Sequence, residues 1–378
     1  MSSHEAVVVA ASRSAIGTSG SRSPLARLSA AELAGSVVAA VAAQLEGVPD
    51  DVLLGNCMGP GGNVARVAVL EAGLPGSVPA ATVDRQCASG LAAVTAAVAA
   101  VRADGGAVLA GGVESASTAP WRLWPPVDGR EPVRYERAPF APARLGDPDM
   151  GLAADLLAAR YAVGRTEQDE YAARSHARAA AARDAGLFDA EVVEVAGVAR
   201  DERPRSGLTP ERLGRLRPMH RPEGTVTVGN SCGINDGAAV VAVVDEPTRG
   251  RLGLPGLRVL STATTAFDPN LPGLGLVSSS QLALRRAGLS WDDMDVIELN
   301  EAFAGQVLAC CRELDLDPER VCPDGGALAL GHPWGASGAV LVVRLFTALV
   351  REGRGRRGLA AIAAGGGQGV AVVVEAAR

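Results

Sequence analysis

The sequence predicts a mixed α/β protein built from two similar halves. Short runs of small and β-branched apolar residues, such as AVVVAAS at 6–12 and GAVLAGG at 106–112, are typical of buried strands. They alternate with longer Ala-rich segments of helical length, such as LSAAELAGSVVAAVAAQL at 28–45. This alternation indicates a sheet covered by helices, and the first quarter of the chain is predicted to be βαβαβ.

An internal repeat is the second observation behind this fold class. CASGLAAVTAAVAAV followed by GAVLAGGVES in the first half is echoed by GASGAVLVVRLF followed by GLAAIAAGGGQG in the second. Each copy is predicted to have an Ala-Ser-Gly helix start (88–90 and 336–338), an apolar helix, a buried strand and a glycine corner. The repeat therefore predicts a duplicated α/β unit.

The region between the two copies has a different composition. From Ser115 to Gly151 the sequence is rich in Pro and Arg and holds two of the four tryptophans, which predicts loop structure outside the core. Two helices are expected next, over 151–163 and from an N-cap at Thr166 to Gly186. Strands resume at 237–245 and 257–264.

Composition excludes several classes of function. With 378 residues, of which 48% are hydrophobic, the chain is long enough for more than one core. A net charge of −6 argues against a nucleic-acid partner, because that affinity depends on clustered positive charge. All 36 basic residues are arginine, so Schiff-base chemistry and a P-loop, which both require lysine, are excluded.

The cysteines and the apolar runs predict the cellular compartment of the protein. No run approaches the roughly 18 uncharged apolar residues of a membrane helix, so we expect no membrane partner and a cytoplasmic location. The cysteines form no CxxC pair and no spaced Cys/His pattern, which predicts reduced thiols and no metal site. They are Cys57, Cys87, Cys232, Cys310, Cys311 and Cys322.

Cys87, in VDRQCASGLAAV, is the first candidate for chemistry. It lies where a strand is expected to end and a helix to begin, so the helix N-terminus would stabilise a thiolate there. A lone cysteine in Ala-rich surroundings is more often an inert small hydrophobe, so the local sequence leaves both interpretations open.

His332 and the pair Asn300 and Glu301 are the other candidates. His332, in GGALALGHPWGASGA, occupies the matching strand-to-helix junction of the second half, where open α/β sheets place their sites. A capping or core histidine is the alternative. Asn300 and Glu301 follow the apolar run MDVIEL, and such a pair at a strand end is usually a helix cap.

Together these segments resemble the thiolase family over nearly the whole chain. The motifs, in order, are ASRSAIG (11–17), DRQCASGL (84–91), AGGVESAS (110–117), GTVTVGNSCGINDGAA (224–239), NEAFA (300–304), GGALALGHPWGASGA (325–339) and GGGQG (365–369). The resemblance implies a duplicated five-layered αβαβα core with an inserted loop domain. It divides the chain into an N-terminal half at 1–115 with a returning strand at about 237–245, a loop domain at 116–236 that covers the coenzyme A site, and a C-terminal half at 246–378. It also implies a homodimer or homotetramer.

The resemblance also implies the chemistry of the site. Cys87 would take the acyl group from a CoA thioester, and His332 would activate its thiol. His332 would also act with a water held by Asn300 to stabilise the thioester oxygen of the second substrate. The backbone amides of Cys87 and Gly365 would form the other oxyanion hole, in which donors approach within about 3 Å of the developing charge.

CoA thioesters are implied as substrates, with no permanently bound cofactor. Arg205 matches an arginine near the CoA nucleotide, and Cys232 stands where the family usually has a serine on the pantetheine arm. Since a thiol is a poorer hydrogen-bond donor, Cys232 puts pantetheine placement in doubt. Met150 and Phe303 match residues of the substrate pocket.

Ala363 is the main departure from the family pattern. The family usually carries a second cysteine here, which acts as general acid and base, and loss of such a group typically costs about 10²–10⁴ in rate. The sequence therefore predicts an acyl-CoA C-acyltransferase with non-standard chemistry, unless Cys322 or Cys232 substitutes. Decarboxylative condensation, acyl transfer to a heteroatom and thioester hydrolysis remain alternatives, as do a catalytically silent partner subunit and an alanine introduced to trap an intermediate.

Overall fold

One mixed sheet runs through both halves of the protein. The computed structural model describes residues 4–20, 23–135 and 137–377. The strands are β1 (Ala6–Ser14), β2 (Gly17–Thr18), β3 (Asp51–Gly55), β4 (Ala80–Val83), β5 (Ala107–Ser115), β6 (Arg122–Trp124), β7 (Val133–Tyr135), β8 (Val192–Val193), β9 (Asn235–Asp245), β10 (Gly256–Ala266), β11 (Val296–Leu299), β12 (Arg357–Ala364) and β13 (Gln368–Ala377).

Helices connect and cover these strands. They are α1 (Ala30–Ala42), α2 (Val64–Glu71), α3 (Ser89–Asp104), α4 (Met150–Arg160), α5 (Arg165–Asp184), α6 (Pro210–Leu213), α7 (Glu246–Leu252), α8 (Gly275–Ala287), α9 (Ala304–Leu314), α10 (Ala327–Leu330) and α11 (Trp334–Phe346). The predicted βαβαβ start is confirmed as β1, α1, β3, α2 and β4, with the short β2 added.

Strand order confirms the duplication. The sheet runs β11-β12-β13-β10-β1-β9-β5-β3-β4, so the halves meet at the antiparallel pair β1 and β10. In the N-terminal half β4, β3 and β5 are parallel, and in the C-terminal half β11 and β12 are parallel. The counterpart of β4 is reduced to one parallel bridge between Ile297 and Val321.

The helices and strands stack in five layers, and the described hydrophobic residues between them form three clusters. One cluster packs α1 and α2 on one face of the N-terminal strands, and another packs α8 and α9 on the outer face of the C-terminal strands. The third lies between the two sets of strands and contains α3 and α11. The layers are therefore helix, sheet, helix, sheet and helix, which confirms the predicted fold class.

Glycines allow α3 and α11 to cross at very short range. A Cβ built on Gly90 would lie 2.7 Å from the carbonyl oxygen of Gly335, and one on Gly338 would lie 2.5 Å from the backbone nitrogen of Leu91. A Cβ on Gly112 would also meet the Gly335 oxygen, at 2.0 Å. This backbone contact holds the N-termini of the two helices side by side, and with them the segments that carry Cys87 and His332.

The two central helices are apolar enough to pass a test for membrane spans. The segments Gln86–Asp104 and Trp334–Arg351 have the required length and composition, which the sequence analysis did not expect. Within the protein, 56% and 83% of their most apolar windows are buried. A helix enclosed between two sheets is apolar on all sides, so its composition follows from its place in the core.

The helices after the Pro- and Arg-rich region differ slightly from prediction. Thr166 is not the N-cap of α5, because the helix begins at Arg165 after Gly164, without a side-chain cap. Gly186 has φ +75°, which ends the helix as predicted. In the second repeat α11 begins at Trp334, so its Ala-Ser-Gly segment lies in the first turn.

Candidate active site

Cys87 lies in a tight turn between β4 and α3. The turn is fixed by Asp84, whose carboxylate accepts a hydrogen bond from Gln86 N at 2.8 Å. Ser89 Oγ accepts from Arg85 N at 2.7 Å and donates to Gln86 O at 2.6 Å. Gln86 has φ +49°, a conformation that non-glycine residues rarely adopt, so the turn is held in a constrained shape immediately before Cys87.

The Cys87 thiol is protonated in this resting structure. Burial, and after it the neighbouring Cys232 and Glu114, raises the pKa of Cys87 to about 12. The pKa of Cys87 is therefore shifted in the direction opposite to the one expected from the N-terminus of α3, and burial is the largest cause. A thiol in this state requires a base before it can attack a thioester.

His332 is held beside α11 with one ring nitrogen free. Its backbone nitrogen donates to Asn235 Oδ1 at 3.0 Å, and its Nδ1 is 2.6 Å from Ser337 Oγ. Ser337 donates its own proton to Pro333 O at 3.1 Å, so Nδ1 carries the imidazole proton. His332 Nε2 is buried and has no hydrogen-bond partner among the described residues. Burial also lowers the pKa of His332 to about 4, so the ring is neutral.

Asn300 and Glu301 do not form the helix cap that the local sequence favours. Helix α9 begins at Ala304, and its N-cap Phe303 makes no side-chain cap. Glu301 is buried and accepts hydrogen bonds from Tyr171 Oη at 2.9 Å and Ser175 Oγ at 2.7 Å. Glu301 therefore anchors the segment after β11, which leaves the Asn300 side chain at the wall of a cavity.

Several predicted residues meet around this cavity, which has about 410 Å³ of empty space, part of it open to solvent. Cys87, Asn300, Ala363, Met150 and Phe303 all line it. The remaining described lining residues are mostly apolar: Ala153, Ala154, Leu157, Pro272, Gly273, Ala302 and Gln306. The cavity thus joins a thiol and the carboxamides of Asn300 and Gln306 to a pocket suited to an apolar group.

The glycine corner between β12 and β13 follows directly after Ala363 and Ala364. Gly366 and Gly367 have φ of +77° and +74°, which favours glycine. Gly365 has a different constraint: a Cβ there would lie 2.7 Å from Cδ2 of the Phe140 ring. The Phe140 ring, with Arg137 stacked 4.5 Å from its centre, covers this corner.

The other predicted residues lie outside the described lining of the cavity. Cys232 is half-buried, and its N–H donates to Ala302 O at 2.9 Å, next to the cavity wall. Arg205 is exposed, and its N–H donates to His176 Nδ1 at 3.3 Å. Cys322 is fully buried, with its thiol donating to Leu299 O at 3.2 Å.

The sequence did not indicate three residues that orient or enclose the predicted site residues. Asn235 and Ser337 fix the backbone and the tautomer of His332, and Phe140 encloses the Gly365 corner. Ser337 follows His332 by five residues in HPWGAS, so a hydroxyl one helical turn beyond the histidine was a usable signal. Asn235 and Phe140 are remote in sequence and offered none.

Comparison with known proteins gives a consistent result. Residues 6–247 match the N-terminal domain of thiolases, and residues 255–376 match the C-terminal domain. The chain is 40% identical to the acetyl-CoA acetyltransferase of Pseudomonas aeruginosa, covering 98% of this chain and 99% of that protein. It is 43% identical to the beta-ketoadipyl-CoA thiolase of the same organism, over 86% of this chain and 87% of that protein. The crystal structure of the Bacillus anthracis acetyl-CoA acetyltransferase superposes with a TM-score of 0.90 at 35% identity, covering 99% of both chains.

The fold and the similarities define an acyltransferase that acts on CoA thioesters. The chain belongs to the thiolase family, as the order of its sequence motifs predicted.

Proposed function

We propose that the protein forms an acyl-enzyme on Cys87 and transfers the acyl group from one CoA thioester to a second substrate. The observation that carries this proposal is the shared cavity, in which the thiol of Cys87 meets Asn300 and an apolar pocket with Met150 and Phe303 on its wall. The apolar lining would take the acyl chain, and Asn300 would hold a water at the thioester oxygen.

His332 is the proposed base for Cys87. Its unpartnered Nε2 and its neutral ring supply a lone pair, and the crossing of α3 and α11 holds the two residues on adjoining helix N-termini. Attack of Cys87 on the thioester carbon would form the S–C bond while the thiol proton passes to Nε2, and the CoA thiolate would take that proton as it leaves. The backbone amides of Cys87 and Gly365 are proposed to stabilise the oxyanion.

Ala363 is the position at which the chemistry is proposed to depart from ordinary thiolysis. Its methyl group is on the cavity wall with Cys87 and Asn300, where an acid/base thiol of the family would act. Cys322 is not among the described residues of that wall, and its buried thiol donates to Leu299 O. Cys232 is also outside that wall but close enough to raise the pKa of Cys87, so it is the thiol to test as a replacement. An alanine here also favours a decarboxylative condensation, in which loss of carbon dioxide creates the carbanion without a base.

Coenzyme A is proposed to bind against the inserted segment at 116–236, between an N-terminal half at 1–115 and a C-terminal half at 246–378. The exposed guanidinium of Arg205 is available for a phosphate of the nucleotide. Half-buried Cys232, hydrogen-bonded to the cavity wall through its backbone, is proposed to contact the pantetheine arm.

A homodimer or homotetramer is proposed as the working form, in the cytoplasm. Strand β4 ends the described sheet with one edge unpaired. The β6–β7 hairpin exposes apolar side chains, including 74% of Trp121 and 63% of Val127. Light scattering would measure the assembly, and six free cysteines are consistent with a reducing compartment.

Intact-protein mass measurement tests the acyl-enzyme. The protein is mixed with acetyl-CoA, malonyl-CoA or acetoacetyl-CoA, and Cys87→Ser serves as the control. An adduct of the acyl mass that disappears in the control supports the proposal. If no donor leaves an adduct on Cys87 and no thioester is consumed, the protein is a silent partner subunit instead. An adduct from malonyl-CoA with release of carbon dioxide would favour the decarboxylative condensation.

A further inference from the structure

Glu298 is a buried carboxyl group that the proposed reaction does not yet use. It lies on β11, two residues before Asn300, and its side chain is on the face that packs against α11 in the central layer. Only 1% of the residue is exposed. An acidic side chain at such a site costs free energy unless the carboxyl is neutral or paired, so its presence calls for an explanation.

A second cavity joins Glu298 to the groups around Cys87. It has about 300 Å³ of empty space, of which the centre of a water molecule can occupy about 10 Å³, enough for about one ordered water. Glu298, Asn300, Ser337 and Arg344 line it. Asn300 also lines the Cys87 cavity, so it stands between the two spaces. Arg344 Nε is buried, and no group in the described part of the chain accepts its hydrogen bond, so it can donate to the water.

Ser337 connects this second cavity to His332. Its Oγ is 2.6 Å from His332 Nδ1, the protonated ring nitrogen. The same Ser337 lines the cavity that contains Glu298. We propose that Glu298 stores the proton that His332 takes up, exchanging it through Ser337 and a water in this cavity. The inference rests on the proposed role of Cys87 and His332.

The proton balance explains what the relay contributes. When the Cys87 thiol proton moves to His332 Nε2, the Nδ1 proton moves to Ser337 Oγ, and the Ser337 proton passes through the water to the Glu298 carboxylate. Cys87 loses one proton and Glu298 gains one, while the Ser337 and water oxygens each gain one and lose one. The imidazole exchanges its Nδ1 proton for one on Nε2 and remains neutral. The reverse transfer returns a proton from Nε2 to the leaving CoA thiolate. The relay thus serves the acylation of Cys87 and leaves the acid/base role at position 363 unfilled.

The acidity of the groups favours this transfer. Burial lowers the pKa of His332 to about 4, so an imidazolium with no carboxylate partner would be costly. Burial raises the pKa of Glu298 to about 8, which makes its carboxylate the stronger base. The charged and titratable groups near Glu298 include Arg344 and the buried acids Asp324 and Glu301. Cys322 and Arg354 complete this set.

The expected pH dependence follows from these values. The storing form is the carboxylate, which increases as the pH rises through about 8. The acylation rate of Cys87 should therefore rise over the same range. Glu298→Gln keeps the size of the side chain but cannot take the proton, so we expect acylation to slow about 100-fold and to lose its rise around pH 8.

The experiment measures the acylation rate of the full chain by mass, with acetyl-CoA as the donor, through the pH range around 8. Glu298→Gln is compared with Glu301→Gln, a matched control that is equally buried but is held by Tyr171 and Ser175 outside the described lining of the second cavity. We expect Glu301→Gln to keep the rise in rate but to move it to lower pH, because the Glu301 charge is one of the groups that raise the pKa of Glu298. A Glu298→Gln variant with the wild-type rate and profile would overturn the proposal, and so would a flat wild-type profile.

Two further measurements keep the inference testable if Glu298→Gln fails to fold. Infrared difference spectroscopy of the wild type should show a protonated carboxyl that ionises near pH 8, whatever the enzyme's activity. Ser337→Ala should keep that carboxyl signal yet flatten the acylation profile, and a retained rise would contradict the relay. If the wild type forms no acyl-enzyme at all, the role of Cys87 is wrong, while the infrared signal still reports on Glu298.

Discussion

Replacing Ala363 by cysteine should convert the protein towards ordinary thiolysis. Ala363 is half-buried on β12, and its methyl group lines the cavity that contains Cys87 and Asn300. A cysteine adds one sulfur atom to a cavity with about 410 Å³ of empty space, so the fold can accept it. A positioned acid/base group typically contributes about 10²–10⁴ in rate, which corresponds to roughly 3–5 kcal/mol of barrier.

The assay follows cleavage of acetoacetyl-CoA in the presence of CoA, together with the rate at which Cys87 is acylated. Ala363→Cys should raise cleavage at least about 100-fold. Ala363→Ser is the matched control, because a hydroxyl of similar size is far less acidic than a thiol and should leave cleavage near the parent rate. Adding Cys87→Ser to the cysteine variant checks that the new thiol does not act as the nucleophile. If Ala363→Cys folds and is acylated normally but cleavage stays within a few-fold of the parent, the role given to Ala363 is refuted.

Three other changes test separate parts of the structure. Gly365→Ala would place a Cβ 2.7 Å from the Phe140 ring and displace the glycine corner. The rate of Cys87 acylation should therefore fall by about 10²-fold or more. Adding Phe140→Leu should recover part of that rate. Gly90→Ala would place a Cβ 2.7 Å from Gly335 O. Chemical denaturation should show that the free energy of unfolding falls by about 1–3 kcal/mol, and an unchanged value would contradict the close helix contact. Since the pKa of Glu298 is raised by burial from 4.5 to about 8, the folded protein holds a proton that the unfolded chain releases. The free energy of unfolding of the wild type, relative to that of Glu298→Gln, should therefore fall by up to roughly 5 kcal/mol as the pH rises from about 4.5 to 8. If the difference in melting temperature between the two proteins is the same at pH 4.5 and at pH 8, the raised pKa is refuted.

Local patterns of apolar residues predicted the fold class well, because apolar residues in a strand or helix occupy the positions that are buried in the fold. The apolar runs at 6–12 and 106–112 became β1 and β5, and the repeated Ala-Ser-Gly segments became the glycine contact of α3 and α11. The predicted ends of helices were less accurate: α11 was expected to begin at Ala336, but it begins at Trp334. Such ends depend on tertiary contacts that the local sequence does not contain.

The sequence identified residues that lie around one cavity, but it did not predict their protonation states. Cys87 and Asn300 do share a cavity, yet a thiolate at Cys87 was expected from the helix N-terminus alone, and burial by distant segments reverses that expectation. The glycine at Gly365 was explained by the approach of its amide to a charge. Its tightest contact is the ring of Phe140, 225 residues away, which no local pattern could indicate.

The contact between α3 and α11 means that the candidate site is assembled from residues of both halves of the chain. On the proposed roles, the nucleophile precedes α3 in one half and its base precedes α11 in the other, and the glycine backbones at the crossing are what bring them together. A ribosome releases the first half long before the second is complete. On those proposed roles the nascent chain first carries the cysteine without its base, and the site is complete only when the last third of the chain has docked.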